Sequence, residues 1–213
     1  MGIQFNGSGT VSGIAVGGLP DGIIQTADMA SGVLYQPTGS LRVLEQFLSP
    51  CDGSVIPLNQ GNTTLDNVTS VQNLTSTNIL VSGSEITYEP PAGTVQIIYE
   101  FVMHCSGSDA HGIGTVRTYL DSVHTTNAIF SFGANSHFDS RICHRWGFNI
   151  GGTQDNASGR RPNWTGGRTI KMMAREYGNS NESRVHATRY TDGGSTSSFV
   201  RPCIGITALG TDS

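Results

Sequence analysis

The histidines are the first residues in this sequence to suggest chemistry. They are His104, His111, His124, His137, His144 and His186. Protein metal sites commonly announce themselves by close imidazole pairs such as H-E-x-x-H, which a short local element holds at bonding distance. None of the six stands in such a pair, so a metal would need His104, His144 and His186 to be brought together across strands. The expectation is therefore no metal. Glycoside hydrolysis asks for two carboxylates about 5 Å or about 6.5–9.5 Å apart. Glu85, Glu89, Glu100, Asp121 and Glu176 supply carboxylates, but without a pattern that pairs any two. A serine hydrolase needs G-x-S-x-G at a strand-to-helix turn, and "DGGSTSS" has neither that spacing nor a helical pattern after it. The glycines of "GTVSGIAVGG" precede no Lys and sit in no βαβ unit, so a phosphate loop is excluded as well. These residues predict no catalytic group and no cofactor.

Recognition chemistry is better represented. Trp146, Trp164, Arg175, Tyr177 and Tyr190 stand among Asn, Asp and Arg in the C-terminal half. Aromatic faces beside such donors and acceptors suit sugar or protein contacts. Trp164, Arg175, Tyr177 and Tyr190 are the expected receptor or glycan contacts. Core packing would account for the tryptophans equally well.

The elements that must position these groups read as strands. Charged residues make up 13% of the chain, against roughly 25% in an ordinary globular domain, and there are 28 glycines. That composition suits an all-β protein with many turns. At 213 residues the chain is long enough for one large domain with its own core. In "TVQIIYEFVMHC", Val95, Ile97, Tyr99 and Phe101 share one face while Gln96, Ile98, Glu100 and Val102 share the other. Both faces are largely apolar, which predicts an inner strand. Pro90, Pro91 and Gly93 form the corner that delivers the chain into it. "GTVRTYLDSV" places Val116, Thr118 and Leu120 against Arg117, Tyr119 and Asp121, and "RICHRWGFNI" places Ile142, His144, Trp146, Phe148 and Ile150 on one face. "RTIKMMAREY" has helical propensity, but its glycine-rich flanks and the alternation of Ile170, Met172 and Ala174 favour a strand. With "LRVLEQFLSP", "SEITYEP", "SRVHATRY" and "RPCIGITAL", the chain offers eight to ten strands, the number and spacing of a β-sandwich of jelly-roll type.

Residues 1–40 differ. They are dense in Gly and Ser, hold only short apolar runs, and could not bury a core alone. They are expected to form an N-terminal anchoring arm that orders against a partner through Leu19, Pro20, Ile23, Ile24 and Met29, with one short helix at Thr26–Ala30. Residues 41–213 are expected to be the displayed sandwich. The net charge of −4 and the lack of a basic run argue against nucleic acid. No segment approaches the roughly 20 apolar residues of a membrane helix, and "MGIQFNGSGT" has no signal-peptide character, so synthesis in a cytoplasm is expected. Cys51, Cys105, Cys143 and Cys203 lack C-x-x-C spacing and are expected to be thiols. N-x-[ST] triplets, including those at Asn62, Asn67, Asn73, Asn156, Asn163 and Asn181, are expected by-products of turns rich in Asn, Ser and Thr. Eleven of the twelve cations are Arg, and Lys171 is the exception. That bias reflects either base composition or interface use.

"GSEITYEPPAGTVQIIYEF", "TVRTYLDS", "WGFNIGGTQDNASGRRPNWTGGRTIKMMAREY" and "ESRVHATRYTDGG...RPCIGITAL" resemble a β-sandwich module of fibre-like and other virion surface proteins of tailed bacteriophages, especially those of cyanobacteria. "VGGLPDGIIQTADMASG" is similar to linkers of phage tail-fibre sequences. The resemblance covers nearly the whole chain. It implies a structural protein at the virion surface, made in the host cytoplasm, homotrimeric and without catalytic residues. It further implies contact with other virion proteins through the arm and with a host-surface glycan or protein through C-terminal loops. Two alternatives stand beside it: a capsid decoration or cement protein that stabilises the head, and an enzyme that degrades host polysaccharide.

Overall fold

The computed structural model describes residues 4–5, 11–12, 41–107, 112–133, 138–178, 183–189 and 198–211. The chain divides into two units, residues 1–40 and residues 41–213. In the first, Gln4–Phe5 pairs antiparallel with Val11–Ser12. The arm residues Leu19, Pro20, Ile23, Ile24 and Met29 and the helix expected at Thr26–Ala30 lie outside the described residues.

The second unit is an all-β sandwich built on eight main strands. They are β1 (Arg42–Pro50), β2 (Ile86–Tyr88), β3 (Thr94–Gly107), β4 (Gly114–Leu120), β5 (Val123–Phe132), β6 (Phe138–Asn149), β7 (Arg168–Glu176) and β8 (Cys203–Gly210). Sheet one runs in the order β1-β8-β3-β6 and sheet two in the order β2-β7-β4-β5, with every pair antiparallel. The sequence-order pattern 1-8-3-6 against 2-7-4-5 is that of a jelly roll, in which two interlocked Greek keys alternate the chain between sheets. Short strands extend both sheets. Ser183–Val185 continues along β3 beyond the end of β8, and Ile79–Leu80 lies beside β7.

The length of β3 follows from its position. Its fourteen residues pair along β6 on one side and along β8, then Ser183–Val185, on the other. Ile97, Tyr99, Phe101, Met103 and Cys105 point into the core, as the period-two reading requires. They meet Val116, Leu120, Ile170 and Met172 from sheet two, all fully buried. Burying a side chain of this size is worth roughly 1.5–3 kcal/mol, so the alternating pattern alone orients each strand. "RTIKMMAREY" is a strand, because Ile170, Met172 and Ala174 must all face one side. The corner into β3 is a turn closed by Thr94 N–H donating to the Pro91 carbonyl at 3.3 Å, with Gly93 in the left-handed region at φ 82°. "SRVHATRY" is not one strand. His186 adopts φ 61°, which interrupts the ladder and leaves Ser183–Val185 in sheet one and Ala187–Thr188 paired with Ser198–Phe199.

A few polar groups tie the sheets together through the core. The Tyr99 hydroxyl donates to the Ser84 carbonyl at 2.7 Å, and Thr118 Oγ1 lies 2.9 Å from His144 Nε2. Buried polar atoms need such partners, since leaving one unpaired costs about 1–3 kcal/mol. All four cysteines are free thiols: Cys51 and Cys105 are buried, Cys203 is half-buried and Cys143 is exposed. Among the described residues no helix is long and apolar enough to cross a membrane.

Candidate functional site

Strand alternation sorts the polar residues of sheet two onto its outward face. On β4, Val116, Thr118 and Leu120 are buried, so Thr115, Arg117 and Tyr119 point out. On β7 the same rule turns Thr169, Lys171, Met173 and Arg175 outward. Register then decides who meets whom. Thr115 pairs with Arg175 and Ser131, Arg117 with Met173 and Ile129, and Tyr119 with Lys171 and His124. Three cations, Arg117, Lys171 and Arg175, therefore occupy diagonal positions on neighbouring strands, where side chains sit roughly 7–8 Å apart.

Their partners are few. Lys171 Nζ is 3.5 Å from a Glu85 carboxylate oxygen, and Arg175 Nε donates to the Glu176 carbonyl at 3.3 Å. Arg117 Nε is buried with no hydrogen-bond partner. The Tyr119 and His124 rings stack at 5.2 Å, and burial together with the Arg117 charge pushes the His124 pKa down. Hydroxyls fill the remaining ground, with Thr115 and Ser131 Oγ atoms 3.4 Å apart and those of Thr87 and Thr169 3.0 Å apart. Tyr177, just past the end of β7, is 74% exposed.

Of the expected contact residues, Arg175 and Tyr177 belong to this region. Trp164 does not. It is 8% exposed, its indole N–H donates to the Tyr88 carbonyl at 3.1 Å, and its ring meets Phe148 edge-on at 6.2 Å. Packing claims most of this tryptophan, which also borders a cleft of about 410 Å³ with Glu89, Pro91, Ile150 and Asn163. Tyr190 lies outside the described residues. Arg117, Tyr119, His124 and Lys171 were not singled out as contacts from sequence, although the alternation of "GTVRTYLDSV" had already placed Arg117 and Tyr119 outward. Asp121, read on the same face, leaves it. It occupies the β4–β5 turn at φ 57°, accepts from Thr169 N–H at 3.1 Å and binds Arg168 at 2.8 Å.

The groups considered for catalysis are dispersed. His104 faces outward from sheet one, 3.9 Å from Asp139. His144 faces inward and stacks on Phe130 at 5.1 Å. His186 is wholly buried with its ring edge-on to Phe101. Among the described residues no group of three or more His, Cys, Asp or Glu is placed to hold a metal ion. Glu85 lies on the outer face of sheet two and Glu100 on the outer face of sheet one, where Arg145 binds it at 2.9 Å. Asp121 is in its turn, Glu89 borders the cleft, and Glu176 is buried at the end of β7.

The outer face of sheet one has a different character. It carries Val43, Leu48, Ile98, Val102 and Leu209 around the Glu100–Arg145 pair, which balances its own charge.

Fold and surface together define a jelly-roll sandwich with a basic, aromatic-bearing outer sheet. No family model matches the sequence, and no curated protein matches it. Among solved structures, the chain is similar to one in the structure of the Gt strain of infectious bursal disease virus. The identity is 10% and the TM-score 0.24, over 75% of this chain and 47% of that one. The chain thus spans about half the length of that viral chain.

Proposed function

We propose that this protein is a structural component of a tailed-phage virion surface, fibre-like and homotrimeric, that displays its jelly roll for attachment to the host. Residues 1–40 serve as the arm that joins it to other virion proteins, and it turns over no substrate. The observation that supports recognition is the outer face of sheet two. Arg117, Tyr119, Lys171 and Arg175 are carried there on paired strands, which hold side chains more rigidly than loops do. The acid–base candidates, by contrast, are spread over both sheets, one turn and the core.

Adsorption of the purified protein to cyanobacterial cells tests the attachment reading. Saturable adsorption that competes with phage is expected, and its absence across permissive hosts overturns it. Release of reducing sugar from host polysaccharide, abolished by one Asp or Glu substitution, would replace it with the enzymatic reading. Copy number in purified particles decides between attachment and head decoration. Numbers far below the major capsid protein are expected, and numbers stoichiometric with it would make the protein a decoration. Sedimentation at micromolar concentration should show a trimer, and a monomer unaffected by deleting residues 1–40 would remove both the oligomer and the arm.

A further inference from the structure

An antiparallel sheet facing water ordinarily mixes charges of both signs, because like charges at neighbouring cross-strand positions are unfavourable. The outer face of sheet two departs from that rule. Arg117, Lys171 and Arg175 stand on two adjacent strands, and Glu85 is the one carboxylate paired with any of them among the described residues. The face is two charges positive on a chain whose net charge is −4. The buried Arg117 Nε has no hydrogen-bond partner, and Arg117 forms no ion pair with an acid among the described residues. The outer face of sheet one is closer to balance, with Glu100 and Arg145 bound at 2.9 Å and Arg141 accompanied on β6 by Asp139.

We propose that this face is the binding site for an acidic polysaccharide, with Arg117, Lys171 and Arg175 contacting its carboxylate or sulfate groups. The inference rests on reading the protein as a surface-recognition module and names the ligand class of that reading. Charge complementarity identifies an anion, and three further features favour a sugar chain over an acidic polypeptide. Lys171 and Arg175 are four residues apart on one strand, about 13 Å at the strand rise, so the cations are strung out for an extended polymer. Hydroxyls of Thr115, Ser131, Thr169 and Thr87 flank them, suited to exchanging hydrogen bonds with sugar hydroxyls. The stacked Tyr119 and His124 rings give a rigid platform beside the cations, the kind of surface on which sugar C–H groups pack.

The test is affinity electrophoresis of the full chain through gels containing polygalacturonate, dextran sulfate, neutral dextran or poly-glutamate. Retardation by the two acidic polysaccharides, absent with neutral dextran and weakening as salt rises, is the expected result. The double substitution Lys171→Gln with Arg175→Gln, and separately Arg117→Gln, should weaken retention. Together the three should weaken it about tenfold or more, the size expected of three partly screened charge contacts. Arg141→Gln with Arg145→Gln on β6, on the opposite sheet, should change nothing. Equal loss from that control would show only a net-charge effect and overturn the site. Equal retention by poly-glutamate would overturn the sugar in favour of an acidic protein partner. If cells are bound but the triple substitution leaves adsorption intact, this inference fails and the attachment reading stands. If acidic polysaccharide is bound but cells are not, the attachment reading fails and the ligand class stands. If neither is bound, both fail.

Discussion

Acidification from pH 7 to pH 5 should destabilise this domain before its carboxylates protonate, because two histidines are held neutral inside it. Burial lowers the pKa of His144 to about 4, and burial lowers that of His186 to about 4, from 6.5 in the unfolded chain. The Ser82 backbone lies near enough to His186 to oppose its shift slightly, yet neither ring nitrogen makes a hydrogen bond of normal geometry. Between pH 6.5 and pH 4 the unfolded chain therefore binds protons that the folded chain refuses. Stability is fully present above about pH 6.5 and falls as the pH drops through that window. At pH 5 each histidine should cost about 2 kcal/mol, and the two together about 4 kcal/mol. That is a large part of the 5–15 kcal/mol typical of a domain. Asp52 and Asp155, whose pKa values are lowered chiefly by hydrogen bonds from Ser54 and Ser158, titrate below this window. Urea titrations at several pH values between 5 and 7.5, followed by fluorescence of Trp146 and the buried Trp164, measure the slope. His144→Gln preserves a partner for Thr118 and should remove the His144 share, about 2 kcal/mol at pH 5. His186→Asn, which tolerates the left-handed backbone, should remove a similar share, leaving the contribution of His124, whose pKa is also lowered. A stability that stays flat from pH 7 to pH 5, or a slope unchanged in both variants, would show that the two buried rings are not held neutral in the folded domain.

Two further outcomes are expected. Gly83 lies at φ 80°, and a Cβ there would meet Val68 Cγ2 at 2.8 Å and Cys51 Sγ at 3.0 Å. Gly83→Ala should therefore lower unfolding free energy by about 2–4 kcal/mol, combining backbone strain with overpacking, as measured by urea denaturation. Burial also governs the thiols: it pushes the Cys51 pKa up to about 12 and raises that of Cys105. Iodoacetamide at pH 8, with peptide mapping, should label Cys143 in the folded protein and reach Cys51 and Cys105 only after unfolding. Comparable labelling of Cys51 and Cys143 in the native state would contradict the burial.

Much of the candidate face could be read from the sequence, though not as a face. The alternation in "GTVRTYLDSV" turns Arg117 and Tyr119 away from Val116, Thr118 and Leu120, and the alternation in "RTIKMMAREY" turns Lys171 and Arg175 away from Ile170, Met172 and Ala174. Nothing local says that these two strands are neighbours, or that Thr115 pairs with Arg175. Trp164 shows the opposite failure. An aromatic residue among Asn, Thr and Gly in "NWTGG" has the surroundings of a surface loop. Its burial depends on Phe148 and Tyr88, which are distant in sequence. Asp121 follows its strand's alternation only until the chain turns, where a side chain that tolerates the left-handed region is recruited to bind Arg168.

Most of the strands and their inward and outward residues, β5 and the break at His186 excepted, and the corner at Pro91–Gly93 were legible in the sequence alone, because a period of two and the stereochemistry of Pro and Gly act within a few residues. The order β1-β8-β3-β6 against β2-β7-β4-β5, the burial of Trp164 and His186, and the gathering of Arg117, Lys171 and Arg175 were decided by tertiary structure. They depend on pairing between distant segments, and that register is selected by how two whole sheets bury their apolar faces against each other.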